Sequence, residues 1–243
     1  MRLFSRPRKI EVFARYCLYS SISHKKERHS FFSRENCYRN LLATTKEEKN
    51  IEITFFLDTF HGDGNDHFLQ NAPYPVIKIK EGSEAGSFLK MLEHVEKKKL
   101  APDTLIYFLE DDYIHRPGWA KILREGIDLN LAGYITLYDH QDKYHPEYKD
   151  LSSQILLSPS THWRTTPSTT NTFAMLFSTL QSHLDVHREF SINRKISEDH
   201  KKFLALGQKG ALLLSPIPGW STHMEPRYES PCIDWEKVLS NTL

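Results

Sequence analysis

The chain has 243 residues, 39% of them hydrophobic and 26% charged, with a net charge of +1, a balance that suits a globular domain and gives no global electrostatic case for nucleic acid. Aromatic residues reach 12%, which argues against disorder, and no stretch approaches the ~20 apolar residues that span a bilayer. Cys17, Cys37 and Cys232 form neither a CxxC pair nor a disulfide framework, which points to a reducing, cytoplasmic compartment.

The N-terminal MRLFSRPRKIEVFARY is basic but lacks the apolar core of a signal peptide. It reads as a solvated terminus, with peripheral contact to anionic lipid as the alternative. KIEVFARYCLY, 9–19, is rich in Val, Ile, Phe and Tyr and predicts a strand. SHKKERHS, 23–30, follows as a charged loop. Residues 33–50 predict a helix with Ser33 as N-cap, Glu35 in the first turn and Cys37, Leu41 and Leu42 on the core side. IEITFFLD, 51–58, is a second strand that ends on Asp58. The glycine-bearing loop HGDGNDHF, 61–68, leads to a short third strand in PVIKIK, 75–80. A helix over 82–99 places Phe88, Leu89, Leu92 and Val95 on one side, and TLIYFL, 104–109, is a fourth strand. Strands alternating with crossover helices predict an α/β fold with a mostly parallel sheet covered on both faces. Ligands of such sheets sit beyond the carboxyl ends of the strands, where this order delivers Asp58 and the run Glu110-Asp111-Asp112.

The second half is more polar. WAKILREGIDL, 119–129, predicts a helix, GYITLY, 133–138, a strand, and DHQDKYHPEYKD, 139–150, a polar connection. SQILLS, 153–158, and TFAMLFS, 172–178, predict strands flanking the polar segment 159–171. Residues 197–210 predict a helix capped by Ser197, ALLLS, 211–215, a last strand, and 216–239 an irregular tail.

Three adjacent carboxylates repel one another. Packed in a cleft they need a cation or they bind protons, and hard oxygen ligands suit Mg²⁺ or Mn²⁺. A solvated acidic turn is the alternative. Glu198 and Asp199 open a helix, where carboxylates favour the helix dipole, and either could also serve as a general base. His223 could be a metal ligand or a structural histidine. The hydroxyls of Thr166 and Ser168 beside Trp163 and Arg164 suit a polyhydroxylated ligand, or simply a polar hairpin loop. Asp58, His61, Asp63, Asp66 and His67 lie close enough in sequence to hold an ion, although no later Gly-Asn-His element completes a two-metal set.

EDDYIHRPG, TLYDHQDKY, STHWRTTPSTTNTF and a late STH, in this order across 9–235, make the chain resemble GT-A glycosyltransferases and, within them, a family-2-like bacterial and viral group. The resemblance implies a Rossmann-like, mostly parallel central sheet flanked by helices, with a smaller antiparallel element in the C-terminal half. It implies one domain over 1–243, with a nucleotide-binding half at 9–118 and an acceptor-binding, catalytic half at 119–235. The donor would be a nucleotide-diphosphate sugar, the acceptor a glycan or lipid-linked glycan, and the ion Mn²⁺ or Mg²⁺. Glu110-Asp111-Asp112 stands where the family has its DxD motif: Asp112 would ligate the metal, and Glu110 and Asp111 would orient the metal, its waters or the ribose. Asp58 would bond the nucleobase, Arg15 and Tyr16 would line the nucleotide pocket, and Ser87 and Lys90 would touch the nucleotide. Glu198-Asp199 matches the xED element whose carboxylate deprotonates the acceptor, and His223 the C-terminal histidine on the metal. Trp163 and Arg164 would help bind the donor sugar or acceptor. Two departures stand out: TTPSTTNT replaces the family's glycine-rich loop, and the acidic motif is spelled Glu-x-Asp. A non-catalytic nucleotide- or sugar-binding module and a phosphoesterase built on HGDGNDH are the other functions these residues allow.

Overall fold

The apolar runs of the first half pair in parallel. β1 (Ile10–Cys17) lies between β2 (Ile51–Asp58) and β4 (Leu105–Glu110), and β3 (Val76–Ile79) lies outside β2. Register sets Cys17 opposite Asp58 and Arg15 opposite Glu110, so the three carboxyl ends finish within two residues of one another at one rim. The computed structural model describes residues 7–131 and 133–243. Residues 1–6, and with them part of the basic start, lie outside the described residues.

Alternation along the strands feeds two cores, as period-two side-chain geometry requires. Val12, Ala14, Tyr16, Tyr107 and Leu109 face α1 (Arg34–Thr45) and α3 (Trp119–Asp128). Phe13, Phe56, Ile106 and Phe108 face α2 (Glu84–Lys97). Ser33 caps α1 by accepting from the Asn36 amide, as its side-chain chemistry predicts.

The second half completes one nine-stranded sheet in the order β3-β2-β1-β4-β9-β6-β10-β8-β7. Its strands are β6 (Tyr134–Ile135), β7 (Ile155–Leu157), β8 (His162–Thr165), β9 (Phe173–Leu176) and β10 (Leu213–Ile217). β9 runs antiparallel to β4 and β6, and β8 antiparallel to β10 and β7, so the fold is α/β and mostly parallel, with the antiparallel members supplied by the C-terminal half. Among the described residues no helix is long and apolar enough to cross a membrane.

Four expectations change here. The polar segment 159–171 contains β8, whose Trp163 is fully buried. The run after β9 turns at Phe177 into α4 (Phe177–Ser182), followed by α5 (Leu184–Glu189). The helix expected from Ser197 is α6 (Asp199–Gln208), with Glu198 in the cap position; the Ser197 hydroxyl pairs with Ser191 and its amide donates to Glu84. The tail is ordered: β11 (Ser221–His223) pairs antiparallel with β5 (Tyr113–His115), and α7 (Trp235–Ser240) packs beyond it.

Gly126 in α3 shows what admits Trp163. A Cβ there would stand 2.6 Å from Trp163 Cη2 and 2.8 Å from Ile135 Cδ1. Alanine normally favours a helix over glycine by about 1 kcal/mol. Overpacking of about 1–3 kcal/mol outweighs that gain. Gly126→Ala is therefore expected to lower the urea midpoint without changing the m-value.

Candidate active site

The carboxyl ends of β1, β2 and β4 open into a cavity of about 750 Å³. Arg15, Tyr16, Asp58 and Ser87 line it from the first half. Glu110, Asp111, Asp112, Asp199 and His223 line the same cavity. His223 arrives through the β5–β11 pairing, which sets it opposite Tyr113, and the Met224 amide donates to the Asp112 carbonyl at 2.8 Å. His223 Nε2 then lies 2.9 Å from Asp112 Oδ2.

Each carboxylate of the acidic run has an arginine. Arg15 Nη2 is 3.4 Å from Glu110 Oε1, Arg34 Nε donates to Asp111 Oδ2 at 2.8 Å, and Arg28 Nη2 donates to Asp112 Oδ2 at 2.8 Å. The chain thus supplies counter-charges of its own to the crowded run. Burial still pushes the Glu110 carboxyl up to about 8, against the pull of Arg15. Burial also raises Asp111, opposed by Arg34. At Asp112 burial acts upward too, but His223 and Arg28 outweigh it and hold the carboxyl below its usual range.

Asp58 lines the cavity with its hydrogen-bonding capacity already filled. Oδ1 accepts from the amides of Phe60 and Glu81, and Oδ2 from the Gly82 amide and Ser87 Oγ. Four donors match the ~4 lone-pair sites of a carboxylate. Asp58 and Ser87 thus fold the turn into α2, and Asp58 has no lone pair left for a nucleobase. Lys90 lies outside the cavity lining, exposed and paired with Glu93.

The paired carboxylates at the start of α6 separate. Glu198 stands off the cavity lining and pairs with Arg194 and Lys201. Asp199 enters the cavity, and burial pushes its carboxyl up to about 6 while Lys202 pulls the other way. Lys202 Nζ donates to Oδ1 at 3.0 Å; Oδ2 has no hydrogen-bond partner among the described residues.

No family model matches the chain, and no curated protein matches it by sequence. Among solved structures it is similar to CMP:2-keto-3-deoxy-manno-octonic acid synthetase complexed with CTP, at TM-score 0.52 and 12% identity, over 96% of this chain and 98% of that one. At this identity the likeness is one of fold, an α/β architecture shared over nearly the whole of both chains. It is also similar to residues 1–349 of TarS from S. aureus, at TM-score 0.48 and 10% identity, over 85% of this chain and 57% of that one. It therefore spans little more than half the length of the TarS fragment.

Trp163, Arg164, Thr166 and Ser168 are not part of the cavity lining. Trp163 donates to Ser158 Oγ at 3.1 Å, Arg164 pairs with Asp139 at 2.6 Å, Thr166 bonds the Ser168 carbonyl at 3.4 Å, and Ser168 pairs with His200 at 3.0 Å. The same segment instead sends Thr170 to the cavity wall. In HGDGNDHF, His61 reaches the wall, while Asp63 accepts from the Asn65 amide and side chain and His67 caps a turn by accepting from Leu69.

Sequence reasoning missed Arg28, Arg34, Glu84 and Lys202. The one signal was a count: three crowded carboxylates ask for three cations, and SHKKERHSFFSR holds several.

The residues fit the divalent ion that the resemblance implies under one condition. Asp112 Oδ2 and His223 Nε2 meet in a hydrogen bond at 2.9 Å, and a carboxylate oxygen and an imidazole nitrogen are both donors that a divalent ion such as Mn²⁺ takes. Among the described residues no three His, Cys, Asp or Glu side chains converge to hold an ion. Mg²⁺ commonly takes one or two protein ligands and fills its shell with water and substrate phosphate. The condition is that oxygens from outside the chain complete the shell.

Proposed function

We propose that the protein is a metal-dependent glycosyltransferase that moves a sugar from a nucleotide-diphosphate donor to an acceptor hydroxyl with inversion. The observation that carries this reading is the convergence of Asp199 and the Asp112–His223 pair on one cavity. Asp112 and His223 would hold Mn²⁺ or Mg²⁺, which supplies positive charge against the departing diphosphate. Arg34 and Lys26, both in the cavity wall, add to that charge from fixed positions. Asp199 Oδ2 takes the acceptor proton as the acceptor oxygen bonds to the anomeric carbon. The carbon–oxygen bond to the diphosphate breaks, and the leaving oxygen keeps the electron pair. A base on the far side of the sugar from the leaving group inverts the anomeric centre. The acceptor is a glycan or lipid-linked glycan hydroxyl. Asp199 rather than Glu198 is the base, because Glu198 stands outside the cavity in two ion pairs.

A thermal-shift screen of nucleoside diphosphates and nucleotide sugars, with and without Mn²⁺, tests this. A ligand present at a hundred times its Kd stabilises by about 2.7 kcal/mol, which raises Tm by about 5–10 °C in a chain of this size. A flat screen removes the proposal. Stabilisation with no turnover of any donor would select a binding module instead.

A further inference from the structure

Among the described residues no lysine is more buried than Lys202, at 0% exposure. A buried ammonium is costly unless it is paired and hydrogen-bonded, so its place in α6 calls for a reason. Its Nζ lies 4.7 Å from the centre of the Phe88 ring and 5.2 Å from that of Phe173. Two oxygens accept from it: Asn171 Oδ1 and, at 3.0 Å, Asp199 Oδ1. Asn171 is itself held, its amide donating to Glu84 Oε1 at 2.7 Å. Glu84 Oε2 accepts from the Ser197 amide at 2.7 Å, two residues before Asp199. The first turn of α2 therefore grips the chain on both sides of Asp199, directly at Ser197 and through Asn171 at Lys202. Glu84 Oε1 also takes Arg15 at 2.8 Å, and Arg15 reaches Glu110, so the same carboxylate ties this grip to the acidic run.

We propose that Lys202 is a positioning residue for Asp199: it fixes the carboxylate through Oδ1, so that Oδ2 is the oxygen presented to the acceptor. The proposal rests on the reading of Asp199 as the base. An i,i+3 pair on a helix surface has weak and mobile geometry. This one is locked between two aromatic rings and an anchored amide, which gives a base its fixed direction.

The charges around Asp199 make the role measurable. Lys202 faces it from its own helix, Glu84 from α2, Arg15 from β1 and Glu110 from β4. Lys202 is in turn faced by Glu84 from α2 and His187 from α5. Arg15 is already paired with Glu84, and Glu110, pushed up to about 8, holds its proton in this range, so loss of Lys202 removes the cation that bonds Asp199 directly, and Asp199 should hold its proton to higher pH.

The test is a pH titration of protein carrying ¹³C-labelled aspartate carboxyls, followed by NMR without ligand. The Asp199 resonance is the one missing from Asp199→Asn, and in the wild type it is expected to titrate at about 6. In Lys202→Met its midpoint is expected to rise by about one pH unit or more. Lys202→Gln, which keeps a donor and loses the charge, gives the same reading should the methionine variant not fold. The acid limb of donor hydrolysis should move with the NMR midpoint. An unmoved midpoint in either folded variant overturns the proposal, even if Asp199→Asn is inactive. A moved midpoint with an active Asp199→Asn keeps the Lys202–Asp199 link and removes the base reading.

Discussion

Asp112→Asn is expected to abolish donor turnover and to weaken the fold at the same time. The substitution keeps the shape and one acceptor oxygen but removes the charge that faces Arg28 and His223. Breaking a buried pair by removing one partner costs about 3–5 kcal/mol, which the urea midpoint reads directly. Because the folded carboxyl is held below its usual range, the lost stabilisation is present in full above the ordinary aspartate pKa of about 4 and fades as pH falls below it. The gap between wild type and variant should therefore be wide at neutral pH and close in acid. Turnover should fall by about 10³-fold or more, since an ion on a departing phosphoryl oxygen contributes several kcal/mol. His223→Ala separates the two effects. It leaves the Asp112–Arg28 pair intact, so its stability loss should be smaller, while Mn²⁺-dependent stabilisation by a nucleoside diphosphate is lost in both variants. Retention of that manganese effect in Asp112→Asn would remove Asp112 from the ion site.

The parts of this site legible in the sequence are those that strand geometry delivers. Buried parallel strands read as unbroken apolar runs, so β1, β2 and β4 stood out, and the carboxylates at their ends had to meet at one rim. Asp199 was visible as a carboxylate opening a helix, but its separation from Glu198 was not. That depends on which way the first turn of α6 faces, and Glu84 sets it through the Ser197 amide. The arginines stayed hidden because a charged run looks the same whether solvated or paired. Arg28 and Arg34 find Asp112 and Asp111 across 84 and 77 residues of chain. Asp58 illustrates the opposite limit. Its place at the rim could be read, but not the three amides and one hydroxyl that converge on it. Trp163 was misjudged because hydroxyl-rich neighbours made its segment look like a ligand loop. A slot over Gly126, set by tertiary packing, takes the indole instead.

Asp199→Asn should lower turnover by about 10²–10⁴-fold, the usual loss of a positioned general base, while leaving nucleotide binding intact. The amide oxygen can still accept from Lys202, so the side chain should keep its place; what disappears is basicity alone. The wild-type pH profile gives an independent signature. Burial raises the Asp199 carboxyl to about 6, and only the deprotonated form can take a proton. Donor hydrolysis, with water as the acceptor, should therefore rise about tenfold per pH unit below 6 and level off above it. The residual rate of the variant should lack this acid limb. A thermal shift with the best nucleoside diphosphate, matched between wild type and variant, would place the whole loss in chemistry, because the residues proposed to hold the ion and the diphosphate are Asp112 and His223, not Asp199. Glu198→Gln is the control: it loses two surface ion pairs and no cavity contact, so its rate should stay within about twofold and its urea midpoint close to that of wild type. Should Glu198→Gln be the variant that loses the acid limb, the proton goes to the other carboxylate and the assignment drawn from the cavity is wrong.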